Sequence, residues 1–336
     1  MKNSPNPEPV RLSGNRVLLL VGIFACLLAV VFALAYRSTS AKATTGAFGL
    51  SLLALLPLSF TSFYVQAPRL ALLCGASVRV YSAYVANSVS ASLFLVLPGR
   101  ASEFLKPVVL HFREGLPFSR GIAALVIERA MDAACVAFLA ICAIALTAAN
   151  NVSWVQNGLL IPIFTALVFS CAIILLLKYP QILERLVRAI PWGWAQKNSH
   201  DFISAIKSVG RPSTLAFAAG LTLMTWLASC GNVVVAGILL GQHPLSLAQA
   251  LVVFVAGTFG MVITVVPGGL GTFEAATVAA LTTFGYEIPD AILFAVALRL
   301  STIAPAIPLA LWEVSQRWAD LSSMLKTRTR RDADGS

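Results

Sequence analysis

The chain has 336 residues, 58% hydrophobic and 11% charged, where a soluble globular domain carries roughly 25% charged residues, so it reads as an integral membrane protein. Its net charge of +10 does not point to nucleic acid, because the Lys and Arg concentrate in loops and tails as the positive-inside rule expects. No polar stretch is long and even enough to build a soluble core, so any chemistry must lie in or beside the bilayer.

In chain order, a cytoplasmic N-terminal tail at 1–16 leads into full spans predicted at about 17–36, 46–65, 121–148, 158–177, 213–240 and 288–314, six in all. Each is an apolar run near the roughly 20 residues that cross a hydrocarbon core. The first follows a basic tail and precedes Ala41-Lys42-Ala43, but it is longer than a signal-peptide core and is read as a retained span. Residues 178–212 form a basic linker, with an amphipathic stretch at Ile182 to Arg188, and 315–336 a basic tail expected to be disordered. Two further apolar regions, 80–112 and 249–286, are broken in the middle, by LPGRASE (Leu97 to Glu103) and by VPGGLGTFE (Val266 to Glu274).

Charge counting decides how to draw the broken regions. Residues 1–16 hold three Lys or Arg, 66–79 two, 178–211 six and 315–336 five, while 149–157 and 241–247 hold none. A full crossing at 80–98 would put Arg100, Lys106, Arg113 and Arg120 outside and invert every later loop against that bias, whereas a re-entrant hairpin keeps it. The same logic makes 249–286 a hairpin entering from the other face. A repeat follows: Pro98 and Pro267 are 169 apart, Glu103 and Glu274 171, Arg129 and Arg299 170. The expected fold is therefore an all-α polytopic membrane protein whose transmembrane domain, 17–314, has two halves of inverted topology, about 17–177 and 213–314. The hairpin breaks fall at Pro98, Gly99, Pro267, Gly268, Gly269 and Gly271. Non-helical backbone at membrane depth needs protein or a watery cavity to satisfy it, although an ordinary loop between two short spans also accounts for PGGLG.

Charged residues inside the apolar runs are the candidate site. Glu128 and Asp132, at i and i+4, share one helix face and repel unless a cation lies between them. Arg129 reaches Asp132 at i+3, which leaves Glu128 for Arg100 or Lys106 of the first hairpin or for Arg299. Arg100 and Glu103 follow the first break and Glu274 the second, where helix N-termini suit an anionic group. The alternative is that Glu103, Glu128, Arg129, Asp132, Glu274 and Arg299 are structural ion pairs. Asn87 and Asn232 read as helix–helix glue, and Trp154, Trp226 and Trp312 as packing or interfacial anchors. Neither a metal nor a nucleotide cofactor is expected: Cys26, Cys74, Cys135, Cys142, Cys171 and Cys230 lie singly, the three histidines lack partners at ligand spacing, and PGGLGTFE misses the dinucleotide fingerprint.

With LPGRASEFLKP (Leu97 to Pro107), IERAMD (Ile127 to Asp132) and VPGGLGTFEAA (Val266 to Ala276), the chain resembles, over about 15–315, the flippase-like family typified by the transmembrane domain of lysylphosphatidylglycerol synthases. The family pattern reads roughly P-x-R-x-G-E, ER-x-x-D and PGG-x-G-x-x-E. Pro98, Arg100, Glu103, Glu128, Arg129, Asp132, Pro267, Gly268, Gly269, Gly271 and Glu274 match it; Ser102 stands where glycine is usual, which puts close packing there in question. The resemblance implies a lipid translocase moving an anionic, polyprenyl-phosphate-linked or hopanoid-pathway lipid between leaflets. Arg100, Arg129 and Arg299 would engage phosphate, while Glu103, Glu128, Asp132 and Glu274 would hold or release those arginines. No aminoacyl-transfer domain is present, so an enzyme is not expected; an intramembrane transferase and an ion-coupled transporter are the alternatives. Partners would be membrane lipids and lipid-synthesis enzymes, with a homo-oligomer allowed, and the location a bacterial-type plasma membrane with both termini cytoplasmic.

Overall fold

The computed structural model describes residues 45–75, 77–94, 97, 100–147, 212–241, 243–262 and 267–312, with a few isolated positions between 160 and 179. The predicted first span (17–36), nearly all of the span at 158–177 and of the linker, both tails, Pro98 and Gly99 lie outside the described residues.

Helix α1 spans Thr45–Cys74, with Pro57 and Pro68 inside it. A turn leads to α2 (Val80–Phe94), and a 3-10 turn at Ala101–Phe104 leads to α3 (Leu105–Glu114). Helix α4 (Phe118–Thr147) and α5 (Pro212–Leu239) are long; α6 (Leu247–Val262), a 3-10 turn at Pro267–Gly269 and α7 (Thr272–Thr283) form a second broken pair, followed by α8 (Ile288–Ile303). All described regular structure is helical, as expected, and the chain is an all-α membrane protein. Among the described residues three helices are long and apolar enough to cross a bilayer, Phe48–Cys74, Phe118–Thr147 and Ser213–Leu239.

Length explains why the broken regions cannot cross as single helices. Helix α2, with 15 residues, rises only about 22 Å against a core of roughly 30 Å. Helices α3 (10 residues) and α7 (12 residues) are shorter still. Each instead packs on its neighbour, α2 on α3 and α6 on α7. Among the described residues α2 ends at Phe94 ahead of the turn at Ala101–Phe104, and α6 ends at Val262 ahead of the turn at Pro267–Gly269.

Helix α1 overruns its predicted end at 65 by nine residues, which moves Arg69 from an expected loop into a helix. The last predicted span also breaks: α8 stops at Ile303, and helix resumes only at 307–312 after a turn.

Two close-packed regions hold the bundle together. One gathers Leu55, Leu139, Val233 and Ala236 with Val252, Leu281 and Phe294; the other joins Leu70, Leu73, Ala86, Leu110, Ala124 and Ile127. Helix α1 makes its broadest contact with α5. Asn232 donates an amide N–H to the Ser59 hydroxyl at 2.9 Å, and the Ser62 and Ser229 hydroxyls meet at 2.8 Å. Asn232 is thus the interhelical bridge expected of it, of a kind that contributes about 0.6 kcal/mol on average in membrane helices. Asn87 is not: neither end of its buried amide has a hydrogen-bond partner among the described residues.

Candidate functional site

The site grows from one turn of α4. Its i, i+4 spacing puts Glu128 and Asp132 on the same inward face, and both are buried. The cation that reconciles them is Arg69, from α1. Its guanidinium forks across the pair, Nη1 donating to Asp132 Oδ1 at 2.5 Å and Nη2 to Glu128 Oε1 at 2.9 Å, while Nη1 also reaches Thr222 Oγ1 on α5 at 3.1 Å. One side chain therefore ties α1, α4 and α5 together. Arg69 is 1% exposed, so a charge count along the sequence mistakes it for a loop cation. The available signal was the apolar run continuing beyond it, Leu70 to Cys74, with no break.

Glu128 collects two more cations. Lys106 Nζ, at the start of α3, donates to Oε1 at 2.9 Å and Arg129 Nη2 at 2.5 Å. Of the three partners open in the sequence, Lys106 is the one realised. Arg129 also pairs with Asp132 at 2.9 Å, as its spacing predicts, and reaches Glu103 Oε1 at 3.3 Å on the 3-10 turn of the first hairpin. Arg100 sits 3.5 Å from that same Glu103 oxygen, with its side chain 41% exposed. Among the described residues four cations, Arg69, Arg100, Lys106 and Arg129, thus face three carboxylates, Glu103, Glu128 and Asp132, which leaves one positive charge in excess there. Trp226 adds its indole Nε1–H to Asp132 Oδ1 at 3.0 Å. It was expected only to pack or anchor; it also stacks edge-on against Phe254.

The second half repeats the arginine–glutamate pair and closes it. Arg299 Nε donates to Glu274 Oε1 at 2.8 Å and Nη2 to Oε2 at 3.1 Å. Its remaining reach goes to backbone: Nη1 to the Gly268 carbonyl at 2.6 Å and Nη2 to that of Gly269 at 2.9 Å. Gly268 and Gly269 have φ of 67° and 61°, a left-handed backbone that glycine adopts without a Cβ clash, so PGG folds into a carbonyl cradle for the guanidinium. Glu274 also accepts from the Gly271 backbone N–H at 2.9 Å, capping α7 with its own chain. Arg299 therefore does not join Glu128 and Asp132. It is a clamp on the second break, although it does line the space next to them.

That space has two lobes that share Arg100, Glu103, Arg129, Trp226 and Thr258. The larger, about 580 Å³, is walled mainly by apolar side chains including Phe104, Ile122, Leu125, Val126, Val136, Phe259 and Val262. The smaller, about 280 Å³, is lined by Gln66, Asn87, Ser90, Ser102, Lys106, Arg299 and Thr302 among others. Ser102 is fully buried, so serine fits where glycine is usual. Chemically the arrangement is amphipathic: guanidiniums on the shared wall can pair bidentately with a phosphate, with grease on one side and hydrogen-bonding groups on the other.

A family model described as the lysylphosphatidylglycerol synthase TM region matches residues 16–310. No curated protein matches the chain.

Proposed function

The chain belongs to the family of the lysylphosphatidylglycerol synthase transmembrane region, a multi-pass membrane family tied to lipids, and on that premise we propose that it is a lipid translocase. In this reading it carries an anionic or isoprenoid-phosphate lipid between leaflets without changing its covalent structure. The phosphate pairs with Arg100 and Arg129 on the wall the two lobes share. The apolar lobe takes the first part of the hydrocarbon chains, and the rest stay in the bilayer. The single observation that carries this is the two-lobed cavity with guanidiniums at its waist.

The arginines divide the work by how much of their reach is spent. Arg299 is committed to Glu274 and two carbonyls, and Arg69 to two carboxylates and a hydroxyl; both are positioning residues. Arg100 is half-exposed and holds one long ion pair, so it is the first to meet a headgroup, and Arg129 follows by letting go of Glu103. The membrane this reading implies is a bacterial-type plasma membrane, with both termini in the cytoplasm and lipid-synthesis enzymes as neighbours.

The test is leaflet exchange of an acyl-labelled fluorescent phosphatidylglycerol in proteoliposomes holding the purified full chain. Arg100→Ala, which disturbs no buried pair, should slow exchange about tenfold, the loss of roughly one charge-assisted bond. Exchange that is absent from the wild type, for this lipid and for a polyprenyl phosphate alike, defeats the reading. Equal exchange in the wild type and Arg100→Ala removes Arg100 from it.

A further inference from the structure

The smaller lobe carries more polar equipment than a phosphate needs. Four cations, Arg100, Lys106, Arg129 and Arg299, line it with Glu103 between them, and three of the four are also paired with carboxylates just behind the wall, Glu128, Asp132 and Glu274. Beside them is Asn87, 2% exposed, whose amide nitrogen and oxygen both lack a partner among the described residues, and Ser102, 0% exposed, whose hydroxyl lacks one too. A buried amide and hydroxyl left unbonded cost free energy that a bound polar group or an ordered water recovers. Both residues line the lobe while these polar atoms are closed off from it, so a side-chain rotation is what brings their donors and acceptors to a ligand there.

Resting on the reading above, we infer that this lobe is a headgroup pocket selective for an uncharged, hydroxyl-bearing substituent on the lipid phosphate, and selective against a cationic one such as an aminoacyl ester. A phosphate at the waist projects its next substituent into the lobe. An uncharged polyol satisfies the Asn87 amide and the Ser102 hydroxyl. A bare phosphomonoester leaves them unsatisfied. An ammonium group enters a space whose ion clusters, with Glu128, Asp132 and Glu274 counted behind the wall, carry one positive charge in excess among the described residues, so like-charge repulsion acts as the rejecting element. The chain would then handle a lipid that has not been aminoacylated, in contrast to the lysylated lipid named in its family's description.

The experiment uses the purified full chain in neutral detergent with a bound acyl-labelled fluorescent phosphatidylglycerol. Phosphatidylglycerol, phosphatidic acid and lysylphosphatidylglycerol with matched acyl chains compete for it. In the wild type, phosphatidylglycerol should displace the probe about tenfold better than either competitor, the size expected for one or two neutral hydrogen bonds. Asn87→Leu should bring phosphatidylglycerol down to the level of phosphatidic acid while phosphatidic acid itself still binds, which shows that the variant is folded. Asn87→Asp, by placing a carboxylate in the lobe, should raise lysylphosphatidylglycerol relative to phosphatidylglycerol. Equal competition by all three lipids in the wild type, or a preference that survives Asn87→Leu, overturns the pocket and assigns Asn87 to water. If the probe itself fails to bind, the translocase reading falls with it; if it binds in an Arg100-dependent way with no headgroup preference, only this inference falls.

Discussion

The hairpin of α2 and α3 and the hairpin of α6 and α7 each place a glutamate at a 3-10 turn, Glu103 within it and Glu274 just after it, and hold it with an arginine from the helix that follows, Glu103 with Arg129 and Glu274 with Arg299. Around that shared pair they diverge. In the second hairpin Gly257 lets the arms meet: a Cβ there would lie 2.8 Å from Thr277 Oγ1 and 2.9 Å from the Phe273 ring. The positions 170 residues earlier are Asn87 and, matching Gly260, Ser90, and both line the polar lobe. The second arginine is saturated by its own loop, whereas the first is stretched at 3.3 Å from its glutamate and bound mainly to Glu128 and Asp132. One arginine–glutamate pair is closed on its own loop and the other is left open and charged, so the same spacing supports two different local geometries.

The comparison breaks most visibly at Glu128, the acceptor for three cations in the first half and without an ionisable equivalent in the second, where Leu298 falls 170 residues on. Removing one partner of a buried ion cluster leaves uncompensated charge, so Glu128→Ala should cost about 3–5 kcal/mol in reversible unfolding from detergent. A loss under about 1 kcal/mol would mean that water already reaches the cluster.

A smaller effect separates the two hairpin packings. Gly257→Ala forces a methyl into a filled contact and should cost about 1–3 kcal/mol, whereas Asn87→Ala, at the corresponding place in the open hairpin, gives up no bond among the described residues and should stay within about 0.5 kcal/mol. Thermal shifts of the two variants measured side by side check this. Equal losses would erase the distinction between the two packings.

The smallest effect belongs to the rim of the first hairpin, where Glu114 ends α3. The Ser82 hydroxyl, and after it Arg79, donates to the Glu114 carboxylate and holds its pKa below the ordinary glutamate value. A lowered native pKa means that the stabilisation is complete above the ordinary range and is lost as pH falls through the native value. With Arg79 72% exposed the pair should be worth no more than about 1 kcal/mol. Wild type and Glu114→Gln should therefore differ slightly at neutral pH and converge in acid; a gap that widens on acidification would reverse the assignment.

By itself the sequence determined the membrane class, because apolar runs of bilayer length admit no other solvent. It also marked the two hairpin breaks, because Pro-Gly stretches interrupt helices, though not the turn after Ile303, and it exposed the Arg129 and Arg299 spacing. The pairing of Arg129 with Asp132 was legible too, since i+3 neighbours on one helix meet whatever surrounds them. Only the tertiary structure decided the rest. Arg69 lies 63 residues from Asp132, and Trp226 lies 94 residues away on its other side, so no local period connects them to the site. Whether an arginine is left open or spent on its own loop likewise depends on which acceptors the fold brings to it. For Arg299 that was settled by two carbonyls of left-handed glycines, a matter of backbone geometry that residue spacing does not encode.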